Sequence, residues 1–272
     1  MQHLTIQNTS IPALGLGTYG ARGATAREIV RQALQEGYRH IDTAQFYANE
    51  EAVGQGIKKS GVAREAVFLV TKVWPSNLDK KRFLPSVKES LQKLQSGYVD
   101  LLLIHWPHHT LPLESYLAEL AKAQEKGLTR FIGVSNFNIS QLKQALDMGL
   151  PILTNQVEFH PFLDQSKLYQ WMREHGVSLT AYSPLAQGKA ATHPALQSIG
   201  KPYGKSAAQV ALKWMLQLGG VMTIPKSINP KRLKENMDVF DFELSAEDMA
   251  RIQELGRRDG RQVSAFHGAD WD

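Results

Sequence analysis

Short apolar runs alternate with amphipathic segments along the chain, and this order predicts strands and helices in turn. Runs such as VFLVTK at 67–72 and VDLLLIH at 99–105 are apolar at nearly every position. Strands that are apolar on both faces are typical of a parallel sheet covered by helices. Counting LGLGT at 14–18 as the first strand, eight such runs occur, and a segment with helical periodicity follows each of them.

This alternation predicts a single domain over residues 1–272, a (β/α)8 TIM barrel. Residues 4–14 precede the first strand and are expected to form a hairpin with its turn at 8–10. One extra helix is expected at the C-terminal end. A doubly wound sheet is the alternative fold. The predicted helices span residues 25–37, 49–60, 79–94, 114–126, 140–148, 165–175, 206–218, 230–240 and 246–254.

The segment GLGTYG at 15–20 matches the glycine spacing with which dinucleotide-binding turns hold a pyrophosphate. Asp42 follows at the distance where a ribose-binding acid would lie. In such a turn, however, the third glycine lies at the helix N-terminus. Thr25 and Glu28 have the spacing of a capping box, which predicts a helix start beyond Gly20. We therefore interpret the motif as a glycine-rich first βα loop and not as a dinucleotide fingerprint.

Composition narrows the class of protein. The chain has 272 residues, a formal net charge of +5 and no cysteine, so disulfides and thiolate metal sites are excluded. The densest basic cluster, DKKR at 79–82, contains its own acid, which favours a solvated helix face over a nucleic-acid surface. No apolar run approaches a membrane span, and residues 1–10 lack a secretory pattern. We expect a cytoplasmic monomer without nucleic-acid or membrane partners.

Polar side chains stand at the carboxyl ends of neighbouring predicted strands, where barrels place catalytic groups. Asp42, Lys72 and His105 end the second, third and fourth strands, and Tyr47 follows Asp42 in its loop. A buried lysine needs a partner, and Asp42 is the natural one. We expect the Lys72 ammonium to lower the pKa of Tyr47, which makes the phenol a proton donor. His105 can donate a hydrogen bond to the substrate oxygen that Tyr47 protonates. Together, the four side chains suit reduction of a carbonyl by hydride.

The later strands carry groups that suit a nicotinamide cofactor. Ser135 and Asn136 end the fifth strand and Gln156 lies on the sixth, where hydroxyl and amide groups suit a carboxamide. Tyr182, on the seventh strand, can stack on the nicotinamide ring. A cluster after the eighth strand suits the 2′-phosphate of NADPH, and consists of Lys226, Ser227 and Arg232.

Taken together, these motifs resemble the aldo-keto reductase superfamily. The similar segments cover nearly the whole chain in order: GLGT, IDTAQFYANEEAVG, TKVW, LLLIHWP, GVSNF, NQVEFHP, AYSPL and IPKS followed by Arg232. The resemblance implies an NADPH-dependent carbonyl reductase without a metal, with a catalytic tetrad of Asp42, Tyr47, Lys72 and His105. The cofactor contacts that it implies are Gly17, Thr18, Ser135, Asn136, Gln156, Tyr182, Ser183, Leu185, Lys226, Ser227, Asn229, Arg232, Glu235 and Asn236.

Within this superfamily, the loop HWPHHTLPLES and the ending GADWD are most similar to bacterial 2,5-diketo-gluconate and methylglyoxal reductases. We expect a small-molecule carbonyl substrate, an aldehyde, a ketone or a dicarbonyl. Aromatic walls with few polar groups suit such molecules. The side chains expected to line the pocket are Tyr19, Phe46, Trp74, Trp106, Phe137 and Trp271.

Three other interpretations use the same residues. A metal-dependent hydrolase would use His105, His108 and His109, although no carboxylate cluster completes such a site. A Schiff-base aldolase would use Lys72 as its nucleophile, which requires a neutral amine that Asp42 disfavours. A cofactor-binding regulatory or structural member of the same superfamily is the third, and the intact tetrad argues against it.

Overall fold

An antiparallel hairpin opens the chain and is formed by β1 (His3–Ile6) and β2 (Thr9–Pro12). Its turn uses Gln7 and Asn8, whose φ angles of 47° and 59° are both in the left-handed region. A turn of this kind matches the right-handed twist of the two strands. The hairpin is therefore confirmed, with a turn that begins one residue before the predicted 8–10.

Eight parallel strands follow in the computed structural model, which describes residues 2–263 and 271–272. They are β3 (Leu16–Gly17), β4 (His40–Asp42), β5 (Phe68–Val73), β6 (Val99–Ile104), β7 (Thr129–Ser135), β8 (Ile152–Glu158), β9 (Ser178–Tyr182) and β10 (Val221–Thr223). Each strand pairs with the next one in the sequence. The sheet closes on itself because Leu14 forms a parallel bridge with Thr223, and Gly17 with Lys226. This confirms the predicted (β/α)8 barrel.

The continuous apolar runs reflect burial of the strands on both faces. Every residue of β6 is buried. Leu101 and Leu103 belong to a cluster inside the barrel, whereas Leu102 and Ile104 belong to the larger core under the helices. Alternate side chains of one strand thus supply two different cores. Ile6 and Ile11 of the hairpin also join the inner cluster, so the hairpin covers the end of the barrel where the strands begin.

Helices cover the outside of the barrel. They are α1 (Gly23–Gln35), α2 (Glu50–Ser60), α3 (Phe83–Leu94), α4 (Leu113–Glu125), α5 (Ile139–Asp147), α6 (Ser166–Glu174), α7 (Lys189–Thr192), α8 (Pro194–Gly200), α9 (Ala207–Gln217), α10 (Pro230–Met237) and α11 (Ala246–Gln253). The extra C-terminal helix is α11. The short helices α7 and α8 lie between β9 and α9 and were not predicted. Within the described residues, no helix is long and apolar enough to cross a membrane.

Two predicted helix starts are wrong. α1 begins at Gly23, so Thr25 lies in its first turn and caps nothing. Glu28 instead accepts hydrogen bonds from Arg31 and Gln32, and the predicted capping box does not form. α3 begins at Phe83 and not at 79, because the carboxylate of Asp79 accepts two backbone N–H groups and forms a turn ahead of the helix.

Two of the three glycines of GLGTYG, Gly15 and Gly17, are required by the packing of the barrel. A Cβ at Gly15 would lie 2.7 Å from the ring of His40, and one at Gly17 would lie 2.7 Å from the carbonyl oxygen of Ile224. Only a residue without a side chain fits at these points. The interpretation that GLGTYG is not a Rossmann fingerprint agrees with the barrel fold, although its argument from a cap at Thr25 was wrong.

Candidate active site

The four predicted catalytic side chains meet at the carboxyl ends of the barrel strands. Lys72 Nζ lies 2.5 Å from Asp42 Oδ1, 2.8 Å from the carbonyl oxygen of Thr43 and 3.3 Å from the Tyr47 hydroxyl. The rings of Tyr47 and His105 are in edge contact, with centroids 5.6 Å apart. Asp42, Lys72 and His105 are all buried. The sequence therefore predicted correctly that these four groups lie together.

The hydrogen bonds of Lys72 determine where the Tyr47 proton points. An ammonium group has three N–H donors, and all three of those of Lys72 are used, by Asp42, Thr43 and Tyr47. Tyr47 accepts the third of these bonds. Its own O–H proton is therefore directed away from Lys72 and is free to be donated to another oxygen.

Burial dominates the acid–base properties of the site. Burial raises the pKa of Tyr47 well above its ordinary value, and the Asp42 carboxylate adds to the rise. The expectation that Lys72 lowers this pKa is wrong, because burial and then the Asp42 carboxylate raise it. Burial likewise lowers the pKa of Lys72, while Asp42 opposes the change. The pKa of His105 lies well below its ordinary value, through burial and then Lys72, so its imidazole is neutral.

Two side chains that the sequence reasoning missed hold the loop of Tyr47. Asn49 is buried, donates to the carbonyl oxygens of Thr18 and Ala21, and accepts from the Thr43 hydroxyl. The carbonyl oxygen of the Gln45 side chain accepts from the backbone N–H of Trp74. Both residues lie within the quoted segment IDTAQFYANEEAVG, and their polar side chains beside a helix start were the available signal.

A second polar cluster lies on the ends of β7, β8 and β9. Asn136 donates to the His105 carbonyl oxygen and to the Ser135 hydroxyl, both over 3.0 Å, and accepts from the Tyr182 hydroxyl over 2.9 Å. Ser135 donates to the carbonyl oxygen of Gln156. The side-chain amide of Gln156 donates to Asp42 Oδ2 over 2.8 Å. The cluster therefore contacts the catalytic tetrad directly.

This cluster has oxygen atoms that can accept further hydrogen bonds. Among the described residues, none donates to Oε1 of Gln156, and Oδ1 of Asn136 accepts one bond although it has two lone pairs. A carboxamide NH2 group, such as that of nicotinamide, supplies the matching donors. The residues present thus fit the nicotinamide end of a dinucleotide.

The remaining predicted cofactor residues lie on neighbouring loops. Thr18 is buried and bonded to the carbonyl oxygen of Asp42, and Ser183 and Leu185 are partly exposed after β9. Lys226 and Arg232 are exposed after β10 and form no ion pair with the described residues. The other predicted cofactor residues have partners nearby. Ser227 accepts from the backbone N–H of Asn229, Asn229 caps α10, and Glu235 accepts from Ser206. Asn236 is buried, and Gly17 forms a parallel bridge with Lys226.

The predicted aromatic pocket is only partly present. Tyr19 and Phe46 are 61% and 44% exposed, and Phe46 stacks on Trp74 with centroids 4.1 Å apart. The pocket assignment of Phe137 is corrected, because this ring is fully buried in the main core. The backbone at Asn136 is left-handed, with a φ of 62°, and the turn directs the next side chain away from the mouth.

The described part of the C-terminal segment, residues 261–263 and 271–272, is anchored beside this mouth. Trp271 contacts the buried Trp106 edge-on at 6.2 Å and lies under the guanidinium of Arg261 at 3.6 Å. The carboxylate of Glu158, at the end of β8, accepts the backbone N–H groups of Gln262 and Val263. Glu158 lies in the quoted segment NQVEFHP, but its role as an anchor was not predicted. A buried acid in an apolar strand was the available signal.

The histidines of the HWPHH segment do not converge. Nδ1 of His108 accepts the backbone N–H groups of Thr110 and Leu111. In the described part of the chain, no group of three or more His, Asp or Glu side chains could hold a metal ion. The structure therefore offers no ligand set for the hydrolase interpretation within those residues.

A TIM barrel with a Tyr–Lys–Asp–His set at its mouth and an amide cluster beside it defines the class of a carbonyl-reducing oxidoreductase. The family model described as the aldo/keto reductase family matches residues 13–257. The chain belongs to the aldo/keto reductase family.

Three relatives illustrate the similarity. The chain is 46% identical over 249 residues to the glyoxal reductase of Bacillus subtilis (strain 168), which covers 91% of this chain and 90% of that protein. It is 43% identical over 255 residues to the methylglyoxal reductase DkgB of Yersinia pestis, covering 92% and 95% of the two chains. A crystal structure described as that of a proposed 2,5-diketo-D-gluconic acid reductase B superposes with a TM-score of 0.97 at 46% identity, covering 100% and 98%.

Proposed function

We propose that this chain is an NADPH-dependent reductase of small aldehydes and ketones, dicarbonyl compounds in particular. The observation that carries the proposal is the placement of Lys72 Nζ, 3.3 Å from the Tyr47 hydroxyl while it is held by Asp42. In this arrangement the Lys72 ammonium donates to the Tyr47 hydroxyl, and the hydroxyl proton of Tyr47 is free to be donated to a substrate.

Tyr47 is the proposed proton donor. Its raised pKa keeps the hydroxyl protonated at neutral pH, so the proton is available when negative charge develops on a carbonyl oxygen. As Tyr47 gives up its proton, the phenolate that forms lies beside the Lys72 ammonium, which stabilises it. Bound NADPH would supply the hydride that the carbonyl carbon accepts.

His105 is proposed to orient the substrate. A neutral imidazole carries a single N–H donor, and Nδ1 of His105 is buried without a hydrogen-bond partner among the described residues. The other ring nitrogen, Nε2, is then the atom that donates to the carbonyl oxygen. Its edge contact with Tyr47 places both donors on one side of the mouth.

The preference for NADPH rests on the cations after β10. Lys226 and Arg232 are exposed and form no ion pair with the described residues, so their charge is available to an anion. A 2′-phosphate, absent from NADH, would make charge-assisted hydrogen bonds with them.

The substrate class follows from the mouth and from the relatives. Tyr19, Phe46 and Trp74 present aromatic surface, which suits small or flat carbonyl compounds. Glyoxal, methylglyoxal and 2,5-diketo-gluconate are the compounds that the names of the similar proteins contain.

A substrate panel tests the proposal. Oxidation of NADPH is followed with glyoxal, methylglyoxal, 2,5-diketo-gluconate, an aromatic aldehyde and a β-keto ester, and each reaction is repeated with NADH. The proposal expects turnover of dicarbonyls with NADPH. Tight binding of NADPH without turnover of any compound would instead favour a regulatory or structural protein.

A further inference from the structure

Gln156 connects two parts of the site that lie on opposite sides of the barrel. It is buried on β8, whereas Asp42 ends β4, and three strands separate β8 from β4 in the sheet. The hydrogen bond of 2.8 Å from Gln156 Nε2 to Asp42 Oδ2 therefore crosses the interior of the barrel.

With this bond, both oxygens of the buried Asp42 carboxylate accept a hydrogen bond. Oδ1 of Asp42 accepts from Lys72, and Oδ2 accepts from Gln156. Asp42 is 1% exposed, so water contributes little to its stabilisation. Both oxygens of this buried carboxylate are thus held by donors, which fixes its orientation.

We propose that Gln156 is a positioning residue, which holds the Asp42 carboxylate in the orientation that pairs it with Lys72 beside Tyr47. Its amide nitrogen serves Asp42, while Oε1 remains available to the carboxamide of the cofactor. One side chain thus links the nicotinamide site to the proton donor. The cofactor half of this inference rests on the proposed function, whereas the Asp42 half does not.

The connection runs through consecutive side-chain contacts. Gln156 bonds Asp42, Asp42 bonds Lys72, and Lys72 donates to the Tyr47 hydroxyl. Ser135 provides the comparison. It lies in the same polar cluster and donates to the backbone of Gln156, but among the hydrogen bonds of the described residues it has none to Asp42. The titratable groups that act on the Asp42–Lys72 pair from the surrounding elements are His40, Tyr47, Glu50 and His105.

Titration of Lys72 in the free enzyme tests the proposal without any turnover. The protein is labelled with 13C-lysine, and the Lys72 signal is assigned by its absence in Lys72→Met. Gln156→Met keeps the volume but removes the donor to Asp42. That donor stabilises the carboxylate most when Lys72 is neutral, so its loss favours the ammonium, and the Lys72 midpoint is expected to rise by about half a pH unit or more.

Ser135→Ala is the matched control. Both Ser135→Ala and Gln156→Met are expected to bind NADPH more weakly, as measured by fluorescence quenching. Only Gln156→Met is expected to raise the Lys72 midpoint and to shift the alkaline limb of kcat/KM to higher pH. An unchanged Lys72 midpoint in folded Gln156→Met overturns the inference and leaves the proposed reductase function intact.

Gln156→Glu covers the case in which Gln156→Met fails to fold. A glutamate side chain is nearly isosteric with glutamine. Beside Asp42, its carboxylate either shares a proton with the Asp42 carboxylate or adds a negative charge. The Lys72 midpoint is therefore expected at or above that of the unmodified enzyme. A midpoint below it would overturn the inference.

Discussion

Lys72 Nζ lies closer to Asp42 Oδ1, at 2.5 Å, than to the Tyr47 hydroxyl, at 3.3 Å. The ammonium is therefore paired before any substrate arrives, and the phenol keeps its proton. Deprotonation of Tyr47 would place a second anion near Asp42. In the proposed mechanism, the cation therefore becomes important to Tyr47 as its proton leaves, and the site would stabilise the charge distribution of the transition state more than that of the resting enzyme.

Replacing Tyr47 by phenylalanine is expected to abolish reductase turnover, because the ring remains while the proton donor is lost. The affinity for NADPH should be nearly unchanged, since the proposed cofactor contacts lie elsewhere. Steady-state rates and fluorescence titration measure the two effects. Tyr98→Phe, which alters a phenol just before β6 at the other end of the barrel, is the control. A fully active Tyr47→Phe enzyme would refute the assignment.

Replacing Lys72 by methionine is expected to destabilise the fold by about 3–5 kcal/mol, because it leaves a buried carboxylate without its cation. The double variant Lys72→Met/Asp42→Asn removes both charges and should be more stable than the single variant. Urea denaturation monitored by circular dichroism measures the free energies of unfolding. A double variant as unstable as the sum of the two single variants would show that the two charges do not interact.

Replacing Arg232 by alanine is expected to weaken NADPH binding by about tenfold or more, while NADH binding changes little. The difference isolates the contact with the 2′-phosphate. Lys231→Ala is a close control, because Lys231 is an exposed cation next to it on α10. Equal losses for both cofactors would show that Arg232 does not recognise the phosphate.

The stability of the protein is expected to fall as the pH drops below about 6.5, partly because of His105. The pKa of His105 is depressed in the folded state, so below its ordinary value only the unfolded chain binds the proton. Each such histidine contributes a slope of at most about 1.4 kcal/mol per pH unit. His40, whose pKa is also lowered, adds to the effect.

The measurement is the free energy of unfolding between pH 7 and pH 5. His105→Gln should show a shallower decline than the unmodified protein, whereas His175→Gln, which alters an exposed histidine, should not. Identical slopes in all three proteins would contradict the depressed pKa of His105.

Removing the carboxylate of Glu158 is expected to release the C-terminal segment. In Glu158→Met, the backbone N–H groups of Gln262 and Val263 lose their acceptors. Hydrogen exchange at these two amides should accelerate by about tenfold, the effect of losing a bond to a charged group. Glu174→Gln, an exposed change at the end of α6, is the control. Unchanged exchange at both amides would show that Glu158 is not the anchor.

The sequence predicted the barrel because the fold depends on local periodicity, and runs such as VDLLLI record burial on both faces. The tetrad was also predictable, since strand ends of a barrel meet at one mouth. Helix starts were predicted less well. The backbone at Ala21, two residues before α1 begins, is held by Asn49, which is distant in the sequence, and this contact leaves no local signal at Thr25.

Contacts across the barrel could not be predicted from the hydrophobic and polar pattern of the sequence. Gln156 was assigned to a cofactor from its type and strand, but its bond to Asp42 depends on how β4 and β8 face each other. Phe137 was assigned to the pocket from its neighbours, but the left-handed backbone at Asn136 places it in the core. The sign of the pKa change at Tyr47 depended on burial and on the distance between two charges, which the sequence does not contain.

The seam that closes the barrel joins residues that are far apart in the sequence, Leu14 with Thr223 and Gly17 with Lys226. During synthesis, β3 therefore leaves the ribosome long before β10 has been made. Until then β3 has an unpaired edge, which is a template for association with other chains. Because loop closure over so long a segment is entropically slow, the ring of strands can be completed only late in folding.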